Sequence, residues 1–314
     1  MKAANPAVRA SAPASVGNVG VGFDVLGLAF DAVRDTVRAT VEDAPGARLG
    51  KVTGLVDSLP AETEKNCALA AAQAVLDAAG ADFGVRLDVN KGVPLSAGMG
   101  GSAASAVAAA GAVNALLETP FAEMDLLPLA MEGEKVSADP PPWDNVMAAL
   151  LGGLVLAARL DPPLIRRLPL PEGIACVVFH PRRRIETQSA RELLSPEIAK
   201  DIAVEHSRNM AGFVAGCTTG DLELVASGLR DIFIEPQRAS LLPELAPVQK
   251  AALAAGALGC SFSGSGPSIF AWTRVSDLDA TRAAMADAFE RAGCPATPYD
   301  APLDSAGLRL EPDA

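Results

Sequence analysis

Residues 94–105 combine closely spaced glycines with an alanine-rich run that follows them directly. Glycines allow the backbone to turn tightly and to approach a ligand closely. The alanine-rich run predicts a helix, whose first amide groups lack intrahelical partners and lie at the positive end of the helix dipole. A loop joined to a helix N-terminus in this way predicts an anion-binding cradle. The residues of this phosphate-binding segment are Pro94, Leu95, Ser96, Ala97, Gly98, Met99, Gly100, Gly101, Ser102, Ala103, Ala104 and Ser105.

The segment differs from two common nucleotide-binding patterns. No Gly-Lys-Ser/Thr follows the glycines, so it is not a Walker A loop. Gly98, Gly100 and Ala103 only approximate Gly-x-Gly-x-x-Gly, so the pattern for dinucleotide binding is weak. Glycines alone would favour a strand-to-helix turn without a ligand, but the preceding proline and the Ser-Ala-Ala-Ser helix start favour phosphate. Ser102 and Ser105 are suited to capping the helix, contacting phosphate or offering a hydroxyl to magnesium.

The composition excludes several classes of protein. Half of the 314 residues are hydrophobic and 20% are charged, which suits a chain with substantial cores. The net charge of −12 repels nucleic acid and anionic membranes, so we expect neither as a partner. The longest apolar run, residues 146–158, is too short to span a bilayer, and we expect no secretory signal. Five scattered cysteines without a Cys-x-x-Cys pair predict reduced thiols and a cytoplasmic protein.

Alternating strand and helix patterns predict an α/β or α+β chain, and its length suggests two domains. An alanine-rich stretch predicts a helix over residues 66–79, with Gly80 as its C-terminal cap. Residues 162–173 are rich in proline and predict a linker. We therefore expect an N-terminal domain over residues 1–165 and a C-terminal domain over residues 166–314.

Three segments in this order resemble the motifs of the GHMP kinases, a family that includes galactokinase, homoserine kinase, mevalonate kinase and phosphomevalonate kinase. Residues 13–24, Pro-Ala-Ser-Val-Gly-Asn-Val-Gly-Val-Gly-Phe-Asp, are similar to the first motif as homoserine kinases have it. Residues 94–105 resemble P-x-x-x-G-L-G-S-S-A-A, with Met99 in place of the leucine and Gly101 in place of the first serine. Residues 261–268, Ser-Phe-Ser-Gly-Ser-Gly-Pro-Ser, resemble the third motif.

This resemblance implies an α+β fold of two domains, a ribosomal-protein-S5-like α/β domain that binds ATP followed by a ferredoxin-like domain, with the active site between them. It also implies transfer of the γ-phosphoryl of ATP to an alcohol with the help of Mg²⁺. The magnesium-binding glutamate of the family corresponds to Glu134, which would join Ser102 on the ion, and Asn145 matches an asparagine further along. We therefore expect Ser102, Glu134 and Asn145 to be catalytic. Without the resemblance, Glu134 would suit a solvated helix face.

The resemblance further implies that the acceptor is L-homoserine, phosphorylated to O-phospho-L-homoserine in threonine biosynthesis. Asn18 and Asp24 lie in the first glycine-rich turn, where Asp24 would meet an ammonium. Thr187, Arg191 and Arg238 match positions of the homoserine kinases, and the two arginines would bind a carboxylate. Without the resemblance, Asn18 and Asp24 would be ordinary turn residues, and the two arginines would be solvated surface residues. A homodimer is expected from the family only.

One segment departs from the family pattern. Where GHMP kinases have His-Ala-Asp-Asn, this chain has Pro142, Trp143, Asp144 and Asn145, preceded by two further prolines. The backbone is stiffer there and a candidate polar contact is absent. Two alternatives stay open beside the homoserine kinase interpretation: a GHMP kinase for another small alcohol, or a catalytically weak nucleotide-binding regulatory relative. The proline-rich segment is the only support for the second of these.

Overall fold

A computed structural model describes residues 1–312, which form two β-sheets with helices packed against them. The strands are β1 (Ala7–Gly17), β2 (Leu26–Glu42), β3 (Gly46–Gly54), β4 (Gly84–Lys91), β5 (Leu154–Leu160), β6 (Pro163–Leu168), β7 (Ile174–Pro181), β8 (Ala257–Phe262), β9 (Ile269–Arg274), β10 (Ala296–Pro302) and β11 (Arg309–Glu311). The α-helices are α1 (Cys67–Ala79), α2 (Gly101–Asn114), α3 (Glu123–Glu134), α4 (Trp143–Leu151), α5 (Thr187–Glu192), α6 (Lys200–Thr219), α7 (Leu222–Gly228), α8 (Glu235–Arg238), α9 (Leu245–Ala254) and α10 (Leu278–Arg291). Short 3₁₀ helices cover Thr63–Lys65, Ala239–Leu241 and Val275–Asp277.

The larger sheet has seven strands and carries the helices of the N-terminal half. Its order is β11-β1-β2-β4-β3, with β5 paired to β2 and β6 paired to β5. Strand β2 reaches three partners because it is 17 residues long and its register against β1 shifts between Pro13 and Ala14. Helices α1 to α4 pack on one face over a core made almost entirely of alanine, valine, leucine and methionine. This core suits a chain with only 4% aromatic residues.

The smaller sheet has four antiparallel strands in the order β10-β7-β9-β8. This is the strand order of a ferredoxin-like domain, so the predicted α+β organisation is confirmed. Helices α9 and α10 pack on one face of the sheet around Phe179 and Phe289. On the other face, Phe213 of α6 and Trp272 of β9 join a second core that also contains Leu28 of β2. This shared core joins the two sheets.

Local signals predicted some elements well. The helix expected over residues 66–79 is confirmed as α1: the Asn66 side chain accepts hydrogen bonds from the Ala68 and Leu69 amides, and Gly80 ends the helix in the left-handed conformation. All five cysteines are free, and all but Cys67 are buried. Within residues 1–312, no helix combines the length and the apolar character that a membrane crossing requires.

The predicted linker over residues 162–173 is wrong in its first half. Residues Pro163–Leu168 form β6, which pairs antiparallel with β5 as a hairpin at the edge of the larger sheet. A proline is compatible with the first position of an edge strand because its missing N–H is not needed by a neighbour. The boundary expected after residue 165 falls inside this strand, and β11 returns the end of the chain to the larger sheet. The division into two folding units stays a prediction.

The Arg34 guanidinium ties the C-terminal segment to the larger sheet. Its Nε donates to Ser11 Oγ at 2.9 Å, and its Nη1 donates to Asp31 Oδ1 at 2.7 Å. Its Nη2 donates to the backbone oxygens of Ser11 at 2.9 Å and of Gly307 at 2.7 Å. One planar side chain therefore links β1, β2 and the approach to β11, a fork of contacts that lysine could not reproduce.

We expect Arg34→Ala to lower the free energy of unfolding by about 2–4 kcal/mol, because several partly buried acceptors lose a charged donor together. Limited proteolysis of the folded variant should also cut the segment near residue 307 faster. Arg159→Ala is the control, since Arg159 is exposed and donates only to Pro162 O. Equal losses of stability in the two variants would contradict the linking role of Arg34.

Candidate functional site

Backbone hydrogen bonds join the three glycine-rich segments where the two sheets meet. The Ser15 amide donates to Met99 O at 3.0 Å, which links the first segment to the phosphate-binding segment. The Gly264 amide donates to Gly17 O at 3.0 Å, which links the turn between β8 and β9 to the first segment. Three stretches of chain that are far apart in sequence are therefore held in one place by main-chain groups.

Two glycines of the phosphate-binding segment have conformations that a side chain would disturb. Gly98 has φ +71°, and a Cβ there would lie 2.5 Å from Ser263 O and 2.6 Å from Gly266 O. Gly100 has φ +65°, and a Cβ there would collide with Ser15 Oγ. Gly100 is also the N-cap of α2 and provides no capping side chain. The first amides of α2 are therefore left for a ligand, as an anion cradle requires.

The glycine-rich segments border a cavity of about 330 Å³. Most of the residues predicted from the sequence line it, although they come from loops and helices of both halves of the chain. The predicted residues that line the cavity are Asn18, Asp24, Leu95, Ser96, Ala97, Gly98, Gly100, Gly101, Ser102, Ser105, Glu134, Asn145, Thr187, Arg191 and Arg238.

Four residues of the predicted phosphate-binding segment do not line this cavity: Pro94, Met99, Ala103 and Ala104. Met99 and Ala104 are buried in the core that joins the sheets, and Ala103 is buried in the core under α1 to α4. The side chains of Met99, Ala103 and Ala104 therefore anchor the segment, and the predicted part of these four residues in ligand binding stays a prediction. The motif mixes residues that face the cavity with residues that hold the loop in place.

Glu134 is the last residue of α3, and its carboxylate faces the start of α2. Ser102 Oγ donates to Glu134 Oε1 at 2.9 Å, and Ser137 Oγ donates to the same oxygen at 2.8 Å. The side chain is only 3% exposed, and Oε2 has no hydrogen-bond partner among the described residues. Burial raises the pKa of Glu134 to about 7, although the two serine hydroxyls act in the opposite direction. A buried carboxylate oxygen without a partner is costly unless a cation or donor meets it.

These residues fit a magnesium ion in the way that phosphate-bound magnesium is usually held. Mg²⁺ typically takes one or two protein ligands and completes its octahedron with phosphate oxygens and water. Ser102 Oγ and Glu134 Oε2 offer a hydroxyl and a free carboxylate oxygen beside the phosphate-binding segment. Among residues 1–312 there is no group of three or more His, Cys, Asp and Glu side chains that would hold a metal alone. The donor set therefore suits an ion that arrives with phosphates.

Asp144 and Asn145, at the start of α4, tie that helix to the first glycine-rich segment. Asp144 Oδ2 accepts from the Asn18 amide at 2.9 Å, and Ser15 Oγ donates to Asn145 Oδ1 at 2.9 Å. Asp144 is 1% exposed, and burial together with the charge of Asp24 raises the pKa of Asp144 to about 7. Asn18 also donates from Nδ2 to Gly264 O at 3.0 Å, so one asparagine contacts both halves of the chain.

Asp24 and Arg191, which the sequence assigned to opposite ends of a substrate, contact each other. Arg191 donates from Nη1 to Asp24 Oδ2 at 3.0 Å and from Nη2 to Oδ1 at 2.8 Å, a bidentate ion pair. Arg191 and Arg238 both approach the ring of Phe23, at 5.6 Å and 5.3 Å from its centroid. Burial, followed by the charge of Arg191, lowers the pKa of Arg238 to about 10, so it stays cationic at neutral pH.

Strained backbone is concentrated around the cavity. Asn18, Val19, Asp24 and Ser96 have positive φ angles of 68°, 46°, 57° and 49°. Such angles are rare for residues with a Cβ, and they persist where the surrounding contacts hold them. Three of these residues line the cavity. In this region, the contacts that fix the side chains therefore outweigh the free-energy cost of unfavourable backbone angles.

Comparisons with known proteins agree with this geometry. A family model described as the GHMP kinases N-terminal domain matches residues 66–153, and the GHMP kinases C-terminal model matches residues 213–291. A curated homoserine kinase of Xanthomonas campestris is 44% identical over 306 residues, which cover 96% of this chain and 93% of the relative. The chain belongs to the GHMP kinase family. The predicted family is thereby confirmed, and the chain is a kinase that uses ATP.

Solved structures extend the agreement to the whole GHMP kinase fold. The crystal structure of homoserine kinase from Cytophaga hutchinsonii has a TM-score of 0.93 and 37% sequence identity, and the match covers 99% of both chains. The L. major mevalonate kinase in complex with R-mevalonate has a TM-score of 0.70 over 97% of this chain and 99% of its own, at 18% identity. At that identity the likeness concerns the fold alone.

Sequence reasoning gave no role to several side chains that this GHMP kinase brings to the site. The sequence pattern marks Asp144 only as the neighbour of Asn145, although its carboxylate accepts a hydrogen bond from the Asn18 backbone amide. Lys91 and Phe23 also line the cavity, and Asp35 lies directly behind it. Phe23 lies within the first motif and could have been found there. A single aspartate or lysine at a strand end carries no comparable signal, because its importance depends on burial.

We expect Glu134→Gln to reduce turnover on the order of 100-fold, as loss of one charged group at an active site commonly does, without weakening the fold. The raised pKa of Glu134 means that the folded protein holds a proton that the unfolded chain releases between about pH 4 and 7. The wild type should therefore lose stability as pH rises through this window, by roughly 1–3 kcal/mol from this group. The glutamine variant should lose less stability than the wild type over this window, because only the contribution of Asp144, whose pKa is also raised, remains. Denaturant unfolding at pH 5 and pH 8 without divalent cations measures the difference.

Glu132→Gln is the matched control, because Glu132 lies on the same helix but is exposed and pairs with Lys135. It should keep wild-type turnover and the wild-type change of stability with pH. If Glu134→Gln behaved like this control in both measurements, the charge of Glu134 would have no role in turnover and its pKa would not be raised in the folded protein.

Proposed function

We propose that the chain transfers the γ-phosphoryl of ATP to the hydroxyl of L-homoserine and releases O-phospho-L-homoserine and ADP. One observation carries the proposal: a single cavity combines an uncapped helix N-terminus and Glu134 with a carboxylate and two guanidinium groups. The first set suits nucleotide phosphates, and the second suits the ammonium and carboxylate of an amino acid. The curated relatives named homoserine kinase support the same assignment.

The nucleotide phosphates lie, in this proposal, against the phosphate-binding segment. The amides at the start of α2 and the helix dipole favour the negative charge of the phosphates. Ser102 and Glu134 would hold Mg²⁺, which would neutralise charge on the phosphates. Gly98 and Gly100 let the main chain approach the phosphates without interference from a side chain.

The acceptor lies at the charged end of the cavity. Asp24 keeps unused lone pairs on both oxygens beyond its contacts with Arg191, so it can also accept from an ammonium. The buried Arg191 Nε has no hydrogen-bond partner within residues 1–312, and Arg238 uses Nε and Nη1 on the backbone oxygens of Ala190 and Gly264. Further N–H groups of both arginines therefore suit a carboxylate. Thr187 Oγ1, 3.3 Å from Ser265 Oγ, adds a hydroxyl at the same end.

The reaction needs little covalent chemistry from the protein. The homoserine hydroxyl oxygen forms a bond to the γ-phosphorus, the bond from that phosphorus to the β–γ bridging oxygen breaks, and the hydroxyl proton is released. Holding the two reactants in line and stabilising the charge of the transferring group accounts for most of such catalysis. Asn145, fixed by Ser15 and Asp144, helps to shape the cavity between donor and acceptor.

The proline-rich segment does not block this arrangement. Pro142 is the N-cap of α4 and lines the cavity, and Asp144 and Asn145 follow it in the first turn of the helix. We therefore favour an active kinase over a regulatory relative. A cytoplasmic location, a homodimer and the absence of nucleic-acid and membrane partners stay predictions.

We expect ADP release with Mg-ATP and L-homoserine at roughly 1–100 turnovers per second, the usual range for kinases. R-mevalonate should support little turnover, because it has no ammonium for Asp24. The measurement is a coupled ADP assay across amino-acid and isoprenoid alcohols. Faster turnover with mevalonate than with L-homoserine would refute L-homoserine as the acceptor and would leave the assignment as a kinase intact. Nucleotide binding without turnover on any acceptor would favour the regulatory alternative.

We expect Arg191→Lys to raise the KM for L-homoserine about tenfold or more, because lysine keeps the charge but loses the planar fork that meets Asp24. The KM for ATP should change little. Arg182→Lys, at an exposed position shortly after β7, is the control and should leave both constants unchanged. A rise confined to the KM for ATP would mean that Arg191 serves the nucleotide.

A further inference from the structure

A buried charged cluster to which the proposed reaction assigns no role lies beside the phosphate-binding segment, and two of its three members also line the cavity. It consists of Asp35 of β2, Lys91 at the end of β4 and Ser105 of α2. Asp35 is fully buried and Lys91 is 2% exposed, yet the two form an ion pair. None of the three glycine-rich motifs contains Asp35 or Lys91. Charges are retained in such a position only with close partners, because their desolvation is costly.

The Asp35 carboxylate holds the chain just before the phosphate-binding segment. Its Oδ1 accepts from the Gly92 amide at 2.9 Å and from the Val93 amide at 2.9 Å. Its Oδ2 accepts from Lys91 Nζ and from Ser105 Oγ, the latter at 2.6 Å. The carboxylate therefore fixes the two residues that lead from β4 into the segment.

The Lys91 ammonium holds the chain just after the glycines of the segment. Its Nζ donates to Gly101 O at 2.9 Å and to Ser105 Oγ at 2.8 Å, in addition to Asp35. An ammonium has three donors, and all three have partners within the protein. Lys91 consequently acts on a ligand through the backbone that it positions and through its charge beneath the start of α2.

Together these contacts close a ring around residues 94–100. Two amides before the segment bind one oxygen of Asp35, a carbonyl after the segment binds Lys91, and the ion pair joins the two sides. A loop rich in glycine loses much conformational freedom when it is ordered. Fixing both of its ends beforehand leaves less ordering for the nucleotide to bring about, and such preorganisation strengthens binding.

We propose that Asp35 and Lys91 are positioning residues that hold both ends of the phosphate-binding segment in the conformation that receives the nucleotide. This inference rests on the proposed location of the ATP phosphates. If this ion pair served stability alone, well-packed hydrophobic residues would often stabilise the fold at least as much. The backbone groups that this pair engages belong to the two ends of one loop.

The test is Lys91→Met in the full-length chain, with Ser105→Ala as a milder second variant that keeps the ion pair. We expect Lys91→Met to raise the dissociation constant and the KM for ATP about tenfold or more, while the KM for L-homoserine stays within about twofold. Hydrogen exchange of amides 94–103 without ligands should become faster. Ser105→Ala should shift the same readouts in the same direction by a smaller factor. If Lys91→Met does not fold, the exchange of Ser105→Ala without ligands decides the matter, because loss of a direct phosphate contact would not change it.

Thr281→Val is the control for lost stability, since Thr281 of α10 and Thr273 of β9 share a buried hydrogen bond at 3.1 Å, away from the phosphate-binding segment. It should leave the ATP constants and exchange over residues 94–103 unchanged. In the wild type, ATP should slow that exchange, and failure to do so would overturn the proposed phosphate location and this inference with it. If ATP protects the wild-type segment while both variants keep wild-type ATP constants and exchange, the positioning role alone is refuted.

Discussion

The main-chain hydrogen bonds between the glycine-rich segments hold together both the fold and the cavity. The Ser15 amide reaches Met99 O, the Gly264 amide reaches Gly17 O, and the Ser268 amide reaches Ala97 O. These contacts require backbones to approach more closely than side chains would allow. The glycines therefore serve two purposes: they let the two sheets meet, and they leave open main-chain donors at the point of meeting.

Several residues around this junction lower the local stability of the fold. Glu134 and Asp144 are almost fully buried carboxylates with raised pKa values of about 7. Four residues with side chains also adopt positive φ. A fold optimised only for stability would avoid both features, because buried unpaired oxygens and left-handed backbone each cost free energy. Their concentration around one cavity is typical of a binding and catalytic site.

The buried cluster beside the phosphate-binding segment differs from this pattern, since its members satisfy one another. All three donors of the Lys91 ammonium have partners, and the cluster of Asp35, Lys91 and Ser105 connects β2, β4 and α2. The glycine-rich segment is thus tightly held at its two ends and open to the cavity between them. That contrast explains how a flexible sequence can present a defined set of amides.

Short-range chemistry determined what the sequence could predict by itself. The asparagine cap and glycine end of α1, the turn before α2 and the position of Glu134 near Ser102 follow from motifs whose effects extend over a few residues or from family resemblance. Sequence could not decide which distant charges meet. Asp24 and Arg191 are 167 positions apart and Asn18 contacts Gly264 across 246 positions. Only tertiary structure brings such groups together. The resulting burial then decides whether a carboxylate is paired, protonated or free to bind a cation, because pKa and ion pairing depend on desolvation rather than on neighbours in the chain.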